Sequence, residues 1–230
     1  MLTVSALASS HGPVRALRGV TLAVGSGAFV ALLGGNGAGK TTLLRAIAGL
    51  HRPVHGVIQF RGADLVRREP AAIVRRGVAL AWEAAAFGGL SVAETLALGA
   101  MAGRGRHAAM LARVYALFPP LAAARSAPAA GLDGDAARML AVGCAMVTRP
   151  RVLLLDEPMA GLSEPAAELM RDALLALHTA GVALLLAAQD AALALALCDY
   201  GYVLRRGGIV AQGKPAMLRE SQAAMEAFLG

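Results

Sequence analysis

Apolar residues along the chain form two kinds of pattern, short aliphatic runs and longer amphipathic stretches. The runs are typical of buried strands, and apolar residues at every third or fourth position are typical of helices. The runs predict one strand at the start of segment 29–49, another within 151–158, and strands near 57–60, 78–81, 182–187 and 201–205. The amphipathic stretches predict helices near 91–98, 107–118, 136–148, 164–178 and 191–198. Strands that alternate with helices predict an α/β fold with a mostly parallel sheet.

The segment from about 84 to 148 contains helical patterns and prolines but no clear strand. We interpret it as a helical subdomain inserted into a single domain that spans residues 1–230, a length that suits one α/β domain. Within it, we interpret the alanine-rich stretch 119–131 as a loop. The longest uncharged windows, 19–39 and 173–189, are interrupted by glycines and polar residues, so neither predicts a membrane span.

Composition narrows the compartment and the class of partner. The first residues lack a basic lead before an apolar core, so we expect no secretory signal and a cytoplasmic protein. Cys144 and Cys198 lie in apolar helical patterns, which favours buried free thiols over a disulfide or a metal site. The net charge of +7 is spread along the chain, with short arginine pairs but no interleaved aromatic residues, so no nucleic acid partner is expected. The charge favours a solvated face or a face turned toward a membrane partner.

Lys40 lies in a glycine-rich segment, and Lys214 is the only other lysine among 22 basic residues. Segment 29–49, FVALLGGNGAGKTTLLRAIAG, contains the pattern G-x-x-x-x-G-K-[ST]. Glycines allow successive backbone N–H groups to turn around a phosphate chain, at the positive end of the next helix. The lysine then reaches the β and γ phosphates, and the hydroxyl of Thr41 can bind Mg²⁺. The predicted nucleotide-binding residues are Gly34, Gly35, Asn36, Gly37, Ala38, Gly39, Lys40, Thr41 and Thr42.

A second chemical element ends the aliphatic run RVLLLDEP at 151–158. The strand is expected to present Asp156 and Glu157 at its carboxyl end, where ligand sites of parallel sheets lie. In P-loop enzymes the first carboxylate holds the metal ion and the second can polarise the attacking water. The alternative is a strand that merely ends in two solvated acids, which the neighbouring P-loop pattern disfavours.

These elements, in this order, resemble the ATP-binding cassette (ABC) transporter ATPases over essentially the whole chain. The likeness is greatest to the smaller ATP-binding subunit of branched-chain amino-acid importers. It is carried by AIVRRGVALAWE (72–83), LSVAETLALGA (90–100), RVYALFP (113–119), GYVLRRGGIVAQG (201–213) and AFLG (227–230).

The resemblance implies a P-loop NTPase core with a mostly parallel sheet, an antiparallel β subdomain and the helical subdomain. It implies an ATPase that uses ATP and Mg²⁺ to drive uptake of a small solute, and the likeness favours branched-chain amino acids. The implied partners are a second ATPase subunit, either another copy of this chain or a distinct cassette, membrane permease subunits and, through them, a solute-binding protein. The permease subunits would hold the chain at the inner face of the cell membrane.

Three further residues are assigned only by the resemblance. Glu83 lies where these ATPases carry the residue that contacts Mg²⁺ and communicates with the membrane subunit, but Ala84 to Ala86 replace the glycine and arginine pair that usually follow. His11 lies where an aromatic side chain stacks on adenine, and an exposed loop histidine is the alternative. Gln189 lies at the switch position, where an amide can bond a γ-phosphate but cannot carry its proton.

Residues 132–138, LDGDAAR, align with the signature loop of the family, in which leucine is followed by serine and two glycines. Asp133 replaces the serine and Asp135 the second glycine, on either side of Gly134. In the family, two subunits stack head to tail, and each signature loop covers the γ-phosphate bound by the other. A carboxylate at about 4 Å from a phosphate charge adds repulsion of roughly 4 kcal/mol at an effective dielectric constant of 20. The resemblance therefore predicts an impaired site on the partner.

The two aspartates have other interpretations. Aspartate is a favoured N-cap, so either can simply cap the helix near 136–148, and we expect this capping as well as the repulsion. An independent metal site is disfavoured because no further ligands lie nearby in the sequence. Three functions stay open: an importer ATPase, a cassette that binds ATP as a clamp without hydrolysing it, and a soluble cassette acting on nucleic acid or ribosomes, which the importer-like C-terminus disfavours.

Overall fold

Ten strands form two sheets in the part of the chain that the computed structural model describes, residues 1–81, 89–102, 108–222 and 224. The strands are β1 (Leu2–His11), β2 (Val14–Val24), β3 (Phe29–Leu33), β4 (His55–Phe60), β5 (Ala63–Asp64), β6 (Val78–Ala81), β7 (Val152–Asp156), β8 (Ala183–Ala188), β9 (Tyr200–Arg205) and β10 (Gly208–Gly213). The helices are α1 (Lys40–Ile47), α2 (Pro70–Arg76), α3 (Val92–Met101), α4 (Ala108–Leu117), α5 (Pro119–Ala123), α6 (Gly134–Val147), α7 (Glu164–Thr179), α8 (Ala191–Leu197) and α9 (Pro215–Arg219).

The larger sheet has the strand order β10-β9-β3-β8-β7-β6. Its neighbours pair in parallel except β10, which is antiparallel to β9. Every residue of β3 and β8 is buried, as expected for strands that are covered on both faces. Strand β8 lies between β3 and β7, so the carboxyl ends of all three meet at one edge of the sheet. The sequence prediction of a mostly parallel α/β sheet is confirmed.

The smaller sheet is antiparallel, with the order β2-β1-β4-β5. Its inner face carries alternating apolar residues, including Val20, Leu22 and Val24 of β2, which are buried. This alternation is typical of a sheet that covers a core on one side only. It forms the antiparallel β subdomain that the resemblance implied.

Two hydrophobic layers lie on opposite faces of the larger sheet. Phe29, Ala31 and Leu33 face the layer that contains residues of α3, α6 and α7. Val30 and Leu32 face the other layer, which contains residues of α1 and of the antiparallel sheet. Because consecutive residues of a strand point to opposite faces, the strand β3 supplies side chains to both layers and is held firmly beneath the loop that follows it.

The predicted helical segment contains α3 to α6. The interpretation of 119–131 as a loop was wrong in part, because α5 and a 3₁₀ turn at Ala129–Gly131 occupy much of it. Two prolines at the start of α5 need no intrahelical N–H partner, and Leu121 is fully buried, so the tertiary packing stabilises a helix that the composition obscures.

Two smaller predictions from composition can also be compared with the structure. Across the described ranges, no helix is long and apolar enough to cross a membrane. Both cysteines are free thiols. Cys198 is buried, as predicted, whereas Cys144 keeps part of its surface exposed to solvent. Burial nevertheless raises the pKa of the Cys144 thiol to about 12.

Candidate functional site

The loop between β3 and α1, residues 34–39, is shaped by close approaches of backbone to backbone. Gly39 has φ 110°, and a Cβ there would lie 2.7 Å from the carbonyl oxygen of Ala16. A Cβ on Gly34 would overlap the carbonyl oxygen of Leu204. The carbonyl oxygen of Ala38 accepts a hydrogen bond of 2.9 Å from Gly207 N–H, which ties the loop to the β9–β10 turn. Only glycine fits at 34 and 39, so the loop geometry explains the sequence pattern.

The first turn of α1 receives no cap from a side chain. Its N-cap residue is Gly39, no side-chain hydrogen bond caps the helix, and its first turn contains no acidic residue. A helix start of this kind carries partial positive charge and inward N–H groups, which suit an anion such as a phosphate. Thr41 and Thr42 lie in this turn.

The side chain of Lys40 lies over the loop and is only 5% exposed. Its Nζ donates to the carbonyl oxygens of Gly34 at 2.6 Å and Gly35 at 3.1 Å. It also lies 3.1 Å from Oε1 of Glu157. This buried cation already contacts one anion, the carboxylate of Glu157. At the mouth of the loop it is also placed to bind a phosphate, which carries more negative charge.

Asp156 ends β7, and its carboxylate is hydrogen-bonded to the side chain of Thr41. Burial raises the pKa of Asp156 most, Glu157 raises it further, and the Thr41 bond and the cations of Lys40 and Arg45 oppose the rise. The Thr41 hydroxyl and the Asp156 carboxylate are hard oxygen ligands side by side. Together with phosphate oxygens they fit Mg²⁺, which is commonly held by one carboxylate and substrate phosphates.

Glu157 has the left-handed backbone conformation, with φ 49°. Its N–H donates to the carbonyl oxygen of Ala187 at 2.9 Å, and its own carbonyl oxygen accepts from Nη1 of Arg138 at 3.1 Å. Asn36, Thr41, Asp156 and Glu157 share the lining of a cavity of about 360 Å³ with Arg138. The carboxylate therefore faces space beside the lysine and the candidate metal ligands.

Gln189 directly follows β8 and is exposed. It lines a second cavity of about 420 Å³ that also contains Glu157. The structure thus places Gln189 in one cavity with Glu157. Its role at a switch position stays a prediction.

Asp133 is the N-cap residue of α6, and its Oδ1 accepts a hydrogen bond of 2.8 Å from the N–H of Ala136. The capping prediction is confirmed for this residue. Asp135 does not cap α6. Its carboxylate accepts from the N–H of Ser163 at 3.3 Å and from the Ser163 hydroxyl. Gly134 is the first residue of α6.

The predicted site residues fall into three groups. The loop residues 34–42, Asp156, Glu157 and Gln189 converge at the carboxyl edge of the larger sheet. Residues 133–135 lie at the start of α6 and do not line the two cavities described above. His11 ends β1, but its side chain lies outside the described part of the chain, and so do Glu83 and Ala84 to Ala86.

Sequence reasoning missed Arg138 and Ser163. Arg138 lies three residues after Asp135 on α6, so the sequence could have shown that both occupy one face of a helix. Their partners, the Glu157 carbonyl oxygen and Ser163, are distant in the chain and no local pattern indicates them.

Comparison with known proteins agrees with this geometry. Residues 17–160 match the family model described as ABC transporter. The chain is 34% identical to the high-affinity branched-chain amino acid transport ATP-binding protein BraG of Pseudomonas aeruginosa, over 100% of both chains. It is also 34% identical to the sulfate/thiosulfate import ATP-binding protein CysA 2 of Chromobacterium violaceum, with 96% of this chain and 61% of that protein covered.

Solved structures show the same architecture. An ATP-binding subunit of an ABC transporter superposes with a TM-score of 0.86 at 28% identity, over 100% of this chain and 98% of the other. A nucleotide-free ATP-binding cassette superposes with a TM-score of 0.87 over 100% and 99%, and at 23% identity it shows the fold alone. The chain belongs to the ABC transporter ATPase family. It is an ATPase that binds adenine nucleotide and couples its hydrolysis to transport.

Proposed function

We propose that this chain is the ATP-binding subunit of an ABC importer and that the solute is a branched-chain amino acid. The ATPase part rests on one observation, the convergence of Lys40, Thr41, Asp156 and Glu157 around the loop 34–39. The solute rests on the match to BraG along the full length of both chains. Relatives named for sulfate/thiosulfate or Fe(3+) import match over only 61% to 66% of their own length.

The residues of the site take distinct roles in this proposal. The N–H groups of loop 34–39 and the first turn of α1, with Thr42, bind the phosphates, and Lys40 contacts the β and γ phosphates. Thr41 and Asp156 would hold Mg²⁺, which when bound neutralises charge on the phosphates, and Glu83 is proposed as a further contact of this ion. Bound phosphates would compete with Glu157 for the ammonium of Lys40, leaving the Glu157 carboxylate able to accept a proton from water. Gln189 would donate to the γ-phosphate, and His11 would stack on adenine.

The assembly would contain two cassettes and membrane permease subunits, which receive solute from a binding protein. The cassettes would stack head to tail, so that Asp133, Gly134 and Asp135 of one face the nucleotide of the other. A solved neighbour of the same fold is a dimeric bacterial ABC transporter cassette. Another is described as part of the transporter complex cbiONQ. Attachment to permease subunits would place the chain at the inner face of the membrane, and no nucleic acid is proposed as a partner.

A nucleotide-binding clamp without hydrolysis is the second candidate. Where two copies of this chain pair, it is favoured by one observation, the Asp133 carboxylate that already occupies the N–H of Ala136 at the start of α6. In this arrangement the loop that would cover the partner's nucleotide carries a negative charge and offers one fewer N–H group.

The substitution Glu157→Gln separates the two candidates. The amide cannot act as a base, so turnover should fall about hundredfold while nucleotide affinity is retained. Steady-state phosphate release and calorimetric titration with ATP measure the two quantities. Glu164→Gln, at the exposed start of α7, is the matched control and should keep full turnover. Equal turnover of the Glu157→Gln variant and the parent would favour the cassette that binds nucleotide without hydrolysing it.

The proposed solute is tested in vesicles that contain the chain with its permease subunits and binding protein. ATP-dependent accumulation of labelled leucine is expected, with no accumulation of sulfate or Fe³⁺. Uptake of sulfate instead of leucine would overturn the solute assignment but would leave the ATPase assignment intact.

A further inference from the structure

Segment 157–163, which follows β7, is bound to helix α6 at both ends of the segment. Arg138 donates from Nη1 to the carbonyl oxygen of Glu157 at 3.1 Å. Asp135, one turn earlier on the same helix, accepts from the N–H and the hydroxyl of Ser163. We infer that Asp135 and Arg138 form a clamp on segment 157–163 that positions the carboxylate of Glu157 for hydrolysis, an inference that rests on the proposed role of Glu157.

The Glu157 end of the segment needs such support because its backbone is strained. A glutamate at φ 49° lies in a backbone region that residues other than glycine rarely occupy. Surrounding bonds must hold it there. The N–H is held by Ala187 and the carbonyl oxygen by the charged guanidinium of Arg138. Because the direction of the side chain follows the backbone, the Arg138 bond also sets where the carboxylate points.

The Ser163 end is held by the carboxylate of Asp135. Ser163 is the N-cap residue of α7, but its own side chain makes no capping bond to that helix. Its hydroxyl donates to Asp135 instead, and its N–H donates to the same carboxylate. The negative charge therefore lies at the positive end of a 16-residue helix, which stabilises the attachment. With both ends fixed to one rigid helix, the intervening loop has little freedom to displace Glu157.

The family resemblance places glycine at position 135, so the Asp135 contact is a feature that this chain adds. The Asp135 carboxylate thus has a partner within its own chain. This contact differs from that of Asp133, whose carboxylate caps α6 itself.

The first test compares steady-state ATP turnover at this chain's own site, in an assembled ATPase whose partner cassette lacks its catalytic base, for three variants and two controls. Arg138→Gln and Asp135→Asn should each lower kcat about tenfold and change KM for ATP less than about twofold, because the base is displaced while the nucleotide loop is intact. Arg138→Lys should lower kcat less than Arg138→Gln does, since lysine retains the positive charge but lacks the planar guanidinium group. The matched controls are Arg171→Gln and Asp172→Asn, which remove an exposed neighbouring pair on α7 and should change neither constant.

The second test does not depend on activity. Hydrogen exchange of the backbone N–H groups of 157–163 in the full chain should accelerate about tenfold in Arg138→Gln and Asp135→Asn, without acceleration in the strands β3 and β8. Asp135→Asn combined with Ser163→Ala should add little to either single change, because both remove one contact. Unchanged hydrogen exchange at 157–163, with or without a lower kcat, would overturn the proposed role of Asp135 and Arg138. If Glu157→Gln leaves turnover unchanged, the role of Glu157 fails, and the exchange result still decides whether the clamp exists.

Discussion

The starts of α1 and α6 both follow a glycine-containing loop, and they differ in whether a side chain caps the helix. At the start of α1, Gly39 is the N-cap residue and no side chain caps the helix. At the start of α6, the carboxylate of Asp133 bonds the N–H of Ala136, and the first turn contains Asp135. The first start offers partial positive charge beside Lys40, whereas the second carries negative charge at its cap.

The difference indicates that a helix start without a side-chain cap suits an anion better than one capped by a carboxylate. Aspartate is among the best caps for a helix, so the residue that most stabilises α6 is also the residue least suited to a facing phosphate. In the proposed head-to-tail assembly, the chain would therefore keep a complete site of its own at α1 and would present a weakened loop to its neighbour at α6.

The largest effect is expected when the glycine of each loop is replaced by alanine and the free energies of unfolding are compared. Gly39→Ala should destabilise the fold by about 3 kcal/mol, because a Cβ would lie 2.7 Å from the carbonyl oxygen of Ala16 at φ 110°. Gly134→Ala should not destabilise it, since no atom of the described residues lies within 4 Å of a Cβ there. Urea unfolding curves measure both. Equal destabilisation by the two substitutions would contradict the distinction between the loops.

A smaller effect is expected from neutralising the cap on α6. Asp133→Ser removes the charge that would face the partner's phosphate, so turnover at the partner's site should rise at least tenfold, about 1.4 kcal/mol of barrier. The turnover is measured in a dimer in which this chain carries Glu157→Gln and the partner cassette keeps its own catalytic base. Any hydrolysis then comes from the partner's site. Asp172→Asn, which removes an exposed charge on α7, is the control. No change in turnover in a folded and assembled dimer would show that Asp133 does not limit the site.

The smallest effect concerns the cap itself. Asp133→Ala should lower the free energy of unfolding by about 1 kcal/mol, because the N–H of Ala136 loses its partner, whereas Asp133→Ser should change it by only a few tenths. Asp190→Ala offers a comparison within the chain, since Asp190 caps α8 through the N–H of Leu193. A loss as large for Asp133→Ser as for Asp133→Ala would argue against the capping bond.

Local sequence patterns were sufficient for the elements that build the nucleotide loop. The aliphatic runs and glycine spacing around Lys40 predicted β3, the loop and α1, and the run ending at Asp156 predicted β7. The helix α5 was missed because its two prolines and alanines resemble a loop, while the burial of Leu121 that stabilises it is a tertiary effect. Likewise, the contacts of Asp135 and Arg138 with 157–163 join residues that are 19 or more positions apart in the chain, and only the packing of α6 brings them together.

The central claim is that the start of α1 and Lys40 form this chain's own nucleotide site, and a calorimetric titration of ATP tests it most directly. Lys40→Ala should weaken ATP binding at least about hundredfold, because it removes the buried cation beside the loop. Lys214→Ala, which removes the only other lysine at an exposed position before α9, should leave the affinity unchanged. Equal ATP affinity of Lys40→Ala and the parent would contradict the account.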